Sequence, residues 1–570
     1  MRPDQLLAHY ERVADAPDAI PRLRRFVLDL AVRGKLVEQD PSDEPASELF
    51  GRIAKEKAQL VNAGQLRKPK PFPSVDEPPF ALPLSWRWTR MREITSDRGQ
   101  EIPKATFTYI DVTSIDKEAG VVSNPKVLSA SEAPSRARKL TRKGDVIYSC
   151  VRPYLLNVAV IETDFDPEAI ASTAFAILNG HGLVLSRYLW IALRSPFMVE
   201  CVEVSQRGQA YPAINDADFS MLPFPLPPLA EQQRIVAKVD ELMALLDRLA
   251  AARAGREAAR DRLTRTSLAR LGTPHPATFR ADARVALETL TPLTTRPDQI
   301  KPLRQTILNL AVRGTLIEQD PNDEPAAELL KRIAEDVENY IRAAGVRGTQ
   351  VAHASNEDRP FALPTGWAWA HLSSLCRIVT DGDHQPPPRS EDGIAFLTIG
   401  NVTTGKIDFA GCRRVPPQYY ESLPAYRTPA FGDLLYTVVG ATFGRPVLVD
   451  TEEPFCVQRH IAILKPSDEI FVSYLHRVLA SPFVYEQAAS ATTGAAQPTI
   501  ALKPLRNFLI PLPPLAEQHR IVAKVDALMA LLDRLEASVA AAATTRRHLL
   551  EALLHEALAP VEAREMEAAE

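Results

Sequence analysis

The chain has little of what marks several whole classes of protein. Its five cysteines, Cys150, Cys201, Cys376, Cys412 and Cys456, are odd in number and widely spaced, with no Cys-x-x-Cys and no nearby histidine pair. That argues against a disulfide framework or a zinc site and leaves them as small buried hydrophobes. No stretch reaches the roughly 18 apolar residues that a spanning helix needs, and Met1-Arg-Pro-Asp-Gln has no apolar signal core, so no membrane association and a cytoplasmic location are expected. A charge excess is missing too. With 67 Lys+Arg against 71 Asp+Glu the net charge is −4, and composition neither supports nor excludes a nucleic-acid partner.

Reaction tools are also missing. There is no Gly-x-x-x-x-Gly-Lys-Ser/Thr phosphate loop, no Gly-x-Gly-x-x-Gly, no His-Glu-x-x-His, no Gly-x-Ser-x-Gly, and no Asn/Asp-Pro-Pro-Tyr/Phe segment of an adenine methyltransferase. The eleven histidines are scattered. His384, near Asp381 and Asp383, is a weak metal-site signal, because Gly382 and three following prolines already explain a shaped loop. No catalytic residue and no metal ligand is assigned.

What is present is repetition. At 570 residues two to four domains are expected. Leu226 to Leu249 recurs as Leu512 to Leu535, changed only where Gln233 becomes His519 and Glu241 becomes Ala527. Its paired prolines end one element and open a helix with Glu231 or Glu517 in the first turn. Ile235, Val239, Leu242, Leu246 and Leu249, repeated as Ile521, Val525, Leu528, Leu532 and Leu535, keep the 3.5-residue period of a coiled-coil seam. On one copy an amphipathic surface helix explains the pattern. Near-identity of two distant copies points instead to helices that pack together or offer one face to identical partners.

The rest of the scaffold is doubled as well. Arg24 to Glu56 matches Arg304 to Asp336, each reading as two helices broken at Gly34 or Gly314 and restarted after Asp-Pro-x-Asp-Glu-Pro. Pro79-Phe-Ala-Leu-Pro with Trp86 and Trp88 returns as Pro360-Phe-Ala-Leu-Pro with Trp367 and Trp369. Strands are predicted over Thr106 to Val112, Asp145 to Cys150, Leu156 to Glu162 and Phe175 to Leu178, and a helix over Ser186 to Val204. The expected organisation is a helical segment at 1–65, a globular domain at 79–229, a long helix at 230–271, a connector and second helical segment at 272–345, a second globular domain at 360–515, and a closing helix at 516–560. Domain edges agree between the halves, but the interiors, about 92–140 and 376–430, barely align. The chain is a tandem duplication with a shared frame and two divergent inserts.

These motifs resemble the specificity subunit of type I restriction-modification systems over nearly the whole chain. Within the inserts, Asp381-Gly-Asp-His-Gln, Phe431-Gly-Asp-Leu-Leu-Tyr436 and Gly494 to Ile500 resemble landmarks of that family's target recognition domains, as do Lys143 to Tyr148 and Gly208 to Ile214. The first insert has no clear counterpart of the Asp-Gly-x-His landmark. The resemblance implies an α+β fold: two target recognition domains separated by long antiparallel coiled-coil helices in a pseudo-twofold duplication. It implies a non-catalytic subunit whose domains each read half of a split double-stranded DNA site. The helices would space them and dock two adenine methyltransferase subunits, to which endonuclease/translocase subunits attach. S-adenosylmethionine, ATP and magnesium would belong to those partners. The clean seam from Glu231 to Ala252 spans about 33 Å at 1.5 Å per residue, near the roughly 34–36 Å of one DNA turn.

Candidate DNA contacts follow. Arg136, Arg138, Lys139, Arg142 and Lys143 are dense enough for phosphates, although a solvated charge run explains them equally well. Gln209 and Tyr211 in the first insert, and His384, Gln385, Arg445 and Gln497 in the second, are polar groups in shaped loops suited to base edges. Rival readings are a related complex lacking the translocating endonuclease, an enzyme with a cryptic nuclease or methyltransferase domain, and a purely structural scaffold.

Overall fold

A computed structural model describes residues 15–66, 75, 77–208, 211–272, 278, 281–282, 284–286, 288, 294–346, 360–384, 387–494 and 497–558. The candidates Gln209 and Gln385, the first fourteen residues of the expected helical segment, most of residues 67–76 and much of the connector before residue 294 lie outside the described residues. The chain divides into two compact units, 1–256 with 543–570, and 257–542. Each long helix therefore begins in one unit and ends in the other.

In unit 1, α1 (Ala19–Val32) buries Leu23, Phe26, Val27 and Ala31 along one face. It ends in a Schellman turn in which Lys35 N donates to Leu30 O at 3.0 Å. Gly34 takes φ +67°, and a Cβ there would meet Pro83 Cγ at 2.4 Å, so both backbone angle and space require glycine. α2 (Ala46–Asn62) follows Pro45 with no side-chain cap, and Ala46 N donates to Ser85 O at 2.9 Å. Unit 2 repeats the pair as α3 (Ile300–Val312) and α4 (Ala326–Ala344), with Gly314 at φ +68° against Pro364 and Ala326 N on Gly366 O.

Each globular domain is clasped at its ends. Strand Arg87–Arg90 pairs antiparallel with Pro223–Leu226, and Ala368–His371 with Leu509–Leu512. Inside the first clasp lie a four-stranded sheet, in the order Lys126–Leu128, Phe107–Ile110, Ala169–Ser172, Ala137–Leu140, and a five-stranded sheet containing Phe175–Leu178, Val146–Ser149 and Val158–Val160. The second encloses a four-stranded sheet (Cys376–Asp381, Ile461–Pro466, Leu434–Thr437, Pro446–Leu448) and a three-stranded one. The single helix predicted over Ser186 to Val204 is two, Ser186–Leu193 and Pro196–Ser205, because Pro196 cannot donate to the preceding turn and Ser195 caps the restart through Met198 N. Cys150, Cys376 and Cys456 are buried, and all five cysteines are free thiols. The helices and sheets make the expected α+β class.

The long helices α5 (Leu229–Gly272) and α6 (Leu515–Leu558) are each 44 residues. No helix among the described residues is long and apolar enough to cross a membrane.

Candidate nucleic-acid interface

Two loops in each domain stand side by side on one hydrogen-bonded frame. In the first, the chain leaves strand Val146–Ser149, turns through 150–157 and returns as Val158–Val160; beside it Arg207 and Ala213 bridge antiparallel, as the two arms of a hairpin. Ile214 N donates to Cys150 O (2.9 Å), Arg152 N to Pro212 O (2.8 Å), and Ser149 N to Asn157 O (3.0 Å). In the second, Ile500 N donates to Val438 O (2.8 Å), Gly440 N to Pro498 O (2.9 Å), and Thr437 N to Arg445 O (3.1 Å). The same bonds fix the residue equivalence: Arg152 stands where the other domain has Gly440, Leu156 where it has Gly444, Asn157 where it has Arg445, and Tyr211 where it has Gln497. Gly208 and Gly494 open the two hairpins at φ +90° and +88°.

The sequence-predicted readers Tyr211 and Gln497 thus occupy one position in two copies, both exposed. Arg445 is exposed on the neighbouring loop, its guanidinium against the Thr403 carbonyl. His384 is exposed elsewhere, with Nε2 2.9 Å from the Asp381 carboxylate, while Asp383 accepts from Tyr419 Oη at 2.6 Å. Among the described residues no group of three His, Cys, Asp or Glu side chains could hold a metal. Sequence reasoning missed Arg152 and Tyr154, which stand exposed on the first loop. The available signal was Arg-Pro-Tyr directly after a buried strand, where a polar-aromatic turn is set by a rigid element.

The basic run needs one correction. Residues 137–140 form a strand, and its two-residue period turns alternate side chains inward. Lys139 is inward and buried, with Nζ 2.7 Å from Asp97 and 3.0 Å from Asp216. Burial alone would lower the Lys139 pKa, but the two carboxylates outweigh it and hold the ammonium above its ordinary value. Lys139 is a structural cation, unavailable to phosphate. Arg136, Arg142 and Lys143 are exposed and Arg138 is half-exposed.

The Gly-Asp landmarks also prove to be framework. Asp145 is fully buried, accepts from Arg142 N and Asn179 Nδ2 at 2.8 Å, and pairs with Arg98 at 2.6 Å. Asp433 does the same work with Lys465 at 2.5 Å and Ala430 N at 2.8 Å. Tyr148 and Tyr436 fill the cores beneath.

The doubled helix start is a latch. Buried Glu231 accepts from Trp86 Nε1 (2.9 Å) and Gln39 Nε2 (2.6 Å); Glu517 accepts from Trp367 Nε1 (2.9 Å) and Gln319 Nε2 (3.2 Å). Burial raises both carboxyl pKa values, partly offset by those donors. Gln232 accepts from Leu185 N and donates to Pro227 O, as Gln518 does with Phe471 N and Pro513 O. Arg234 reaches Asp43 at 2.7 and 3.2 Å, and Arg520 reaches Asp323 at 2.5 and 3.3 Å. The motif thereby joins long helix, domain opening and helical segment.

The seam beyond it is consumed within each unit. Ile235, Val239 and Leu246 are buried, and Leu242 and Leu249 half-buried, in one cluster with α1, α2 and the domain helices; Leu550 and Leu553 from the end of α6 join it. Ile521 and Val525 lie in the second core, Leu532 and Leu535 pack with Ile300, Leu303 and Leu268, and Leu528 is half-buried. These apolar residues are therefore largely covered by the chain itself, with Leu242, Leu249, Leu528 and Leu535 keeping part of their surface.

Two domains with one frame and different loop tips define a class, paired recognition modules on a helical scaffold. The family model described as the type I restriction modification DNA specificity domain matches residues 140–253 and 389–542. The chain is 30% identical over 564 residues to the type I restriction enzyme EcoAI specificity subunit of Escherichia coli, covering 95% of this chain and 94% of that protein. It is 30% identical over 574 residues to the EcoEI specificity subunit of Escherichia coli, with the same two shares. A solved chain described under "Structural basis underlying complex assembly and conformational transition of the type I R-M system" is 26% identical, with a TM-score of 0.51 over 84% of this chain and 99% of that one. This chain belongs to the family of type I restriction enzyme specificity subunits.

Proposed function

We propose that the chain is the DNA-reading subunit of a type I restriction-modification complex, each globular domain recognising one part of a split site in duplex DNA. The observation that carries this is the loop pair built on identical backbone hydrogen bonds with different residues at its tips: Arg152 against Gly440, Asn157 against Arg445, Tyr211 against Gln497. A frame held constant while its tips differ is what two readers of two sequences require. Phosphate contacts from Arg136, Arg138, Arg142 and Lys143 would position the first domain without specifying sequence.

In this reading the chain itself performs no catalysis. Two methyltransferase subunits bind it, the endonuclease/translocase joins through them, and S-adenosylmethionine, ATP and magnesium act on those subunits in the cytoplasm. Support for two identical partners comes from the outer faces of the long helices. Ala237, Ala244, Leu245 and Arg248 recur as Ala523, Ala530, Leu531 and Arg534, all exposed. With their inner seams spent on the chain's own cores, such repeated exposed faces are the surfaces left for docking.

Exchanging residues 376–500 for the corresponding insert of a relative tests the proposal. Methylome sequencing should show one part of the methylated motif changed and the other retained. A change in both parts, or in neither, would count against two independent readers.

A further inference from the structure

We infer that Arg152 is a base-reading residue of the first domain, its guanidinium carried on the Tyr211 ring and directed at guanine in the major groove. This rests on the DNA-reading function proposed above and names a residue that does it.

Backbone geometry is the first ground. Arg152 has φ +48° and Leu156 φ +53°, both in the left-handed region; at the equivalent positions the second domain has Gly440 at +82° and Gly444 at +83°. The turn is the same turn: Leu155 N donates to Arg152 O at 3.0 Å, as Phe443 N does to Gly440 O at 3.2 Å. Glycine adopts this conformation freely, whereas a side chain with a Cβ is strained there. An arginine kept where the fold itself shows glycine to be sufficient is held for its side chain, and observed strain of this kind concentrates at binding sites.

The second ground is the side chain's surroundings. Arg152 Cζ lies 4.9 Å from the centroid of the Tyr211 ring, and Tyr211 is 69% exposed. The ring supports the guanidinium against its face, and a planar arginine fork held in this way can donate two parallel bonds to guanine O6 and N7. Tyr154, 51% exposed, and Val151 flank it, giving the tip an apolar body beside its cation. Arg207 at the hairpin base is paired with Asp218 at 3.0 Å, which leaves Arg152 as the cation of this tip among the described residues. A protein partner common to both halves would need the same surface twice. The second domain instead presents Gly440 there, with Phe443 stacked on Tyr485 at 5.5 Å.

The test is selection from a randomised duplex library by the full chain purified with its partner subunits, comparing wild type, Arg152→Gly and Arg152→Lys. Arg152→Gly restores the residue the second domain uses, so its melting temperature should equal or exceed that of wild type. Wild type should enrich a two-part motif. Arg152→Gly should lose the requirement for one guanine in one part only, with a drop of about 5- to 150-fold in discrimination there. Arg152→Lys, which keeps the charge but not the planar fork, should lose it as well. If wild type enriches no split motif, the DNA-reading function itself fails. If wild type does and Arg152→Gly enriches the same motif, or Arg152→Lys retains full discrimination, or the relaxed position is not guanine, the assignment of Arg152 is overturned.

Discussion

Replacing Trp86 with phenylalanine keeps an aromatic ring in a nearly closed site and deletes one donor. The indole N–H is one of two side-chain groups that satisfy the Glu231 carboxylate, the other being the Gln39 amide, and Glu231 has no exposed surface. A hydrogen bond to a charged group contributes about 1.5–3 kcal/mol, and a buried acceptor left without its donor gives the upper part of that range. For a unit of this size 1 kcal/mol shifts the melting temperature by roughly 2–4 °C. Trp86→Phe should therefore melt about 4–12 °C below wild type by circular dichroism, and Trp367→Phe should do the same through Glu517. A melting temperature within about 1 °C of wild type would refute the latch. The pH dependence supplies a second check. Burial first, offset in part by the Trp86 and Gln39 donors, raises the folded-state pKa of Glu231 above its ordinary 4.5. A raised carboxyl pKa gives stability that is full below the unfolded value and is lost as pH rises through the folded value. The stability of wild type relative to Glu231→Gln should therefore increase on acidification from neutral pH to below 4.5, and a decrease would refute the assigned direction.

The corrected basic run and the spent seam give further expectations. Lys139→Ala should destabilise the first domain, because Asp97 and Asp216 lose their shared cation, whereas Arg136→Ala with Arg138→Ala should leave melting unchanged and reduce the slope of log binding against log salt by up to about 2. Thermal melts and DNA titrations at several salt concentrations separate the two, and a lower slope with normal stability in Lys139→Ala would reverse the assignment. Leu246→Asp should unfold the first core, since an unpaired buried charge costs several kcal/mol, while Leu245→Glu with Leu531→Glu should fold normally and lose the methyltransferase subunit in size-exclusion chromatography. Retained assembly in that double variant would move the docking surface elsewhere.

The sequence alone determined the doubled scaffold. Its helices are long, periodic and bounded by proline and glycine, and the Gly34 and Gly314 turns follow from local backbone chemistry. Tyr211 and Gln497 were legible as loop residues because glycine and proline around them mark a turn. What the side chains of those elements meet was decided only by tertiary structure. Glu231 and Glu517 read only as first-turn residues of a helix, yet each is buried against a tryptophan about 150 residues earlier in the chain, a contact that no local pattern encodes. Lys139 was indistinguishable from Arg138 until the strand's alternation turned one inward onto carboxylates from two other segments. The seam's period marked an apolar face without saying what would cover it, since periodicity reports a stripe and not its partner. Arg152 was invisible for the same reason: its left-handed φ and its place on the Tyr211 ring arise from a hairpin some sixty residues later in the chain that locks the turn, and only the second domain, with glycine at that point, shows the arginine to be more than the turn requires.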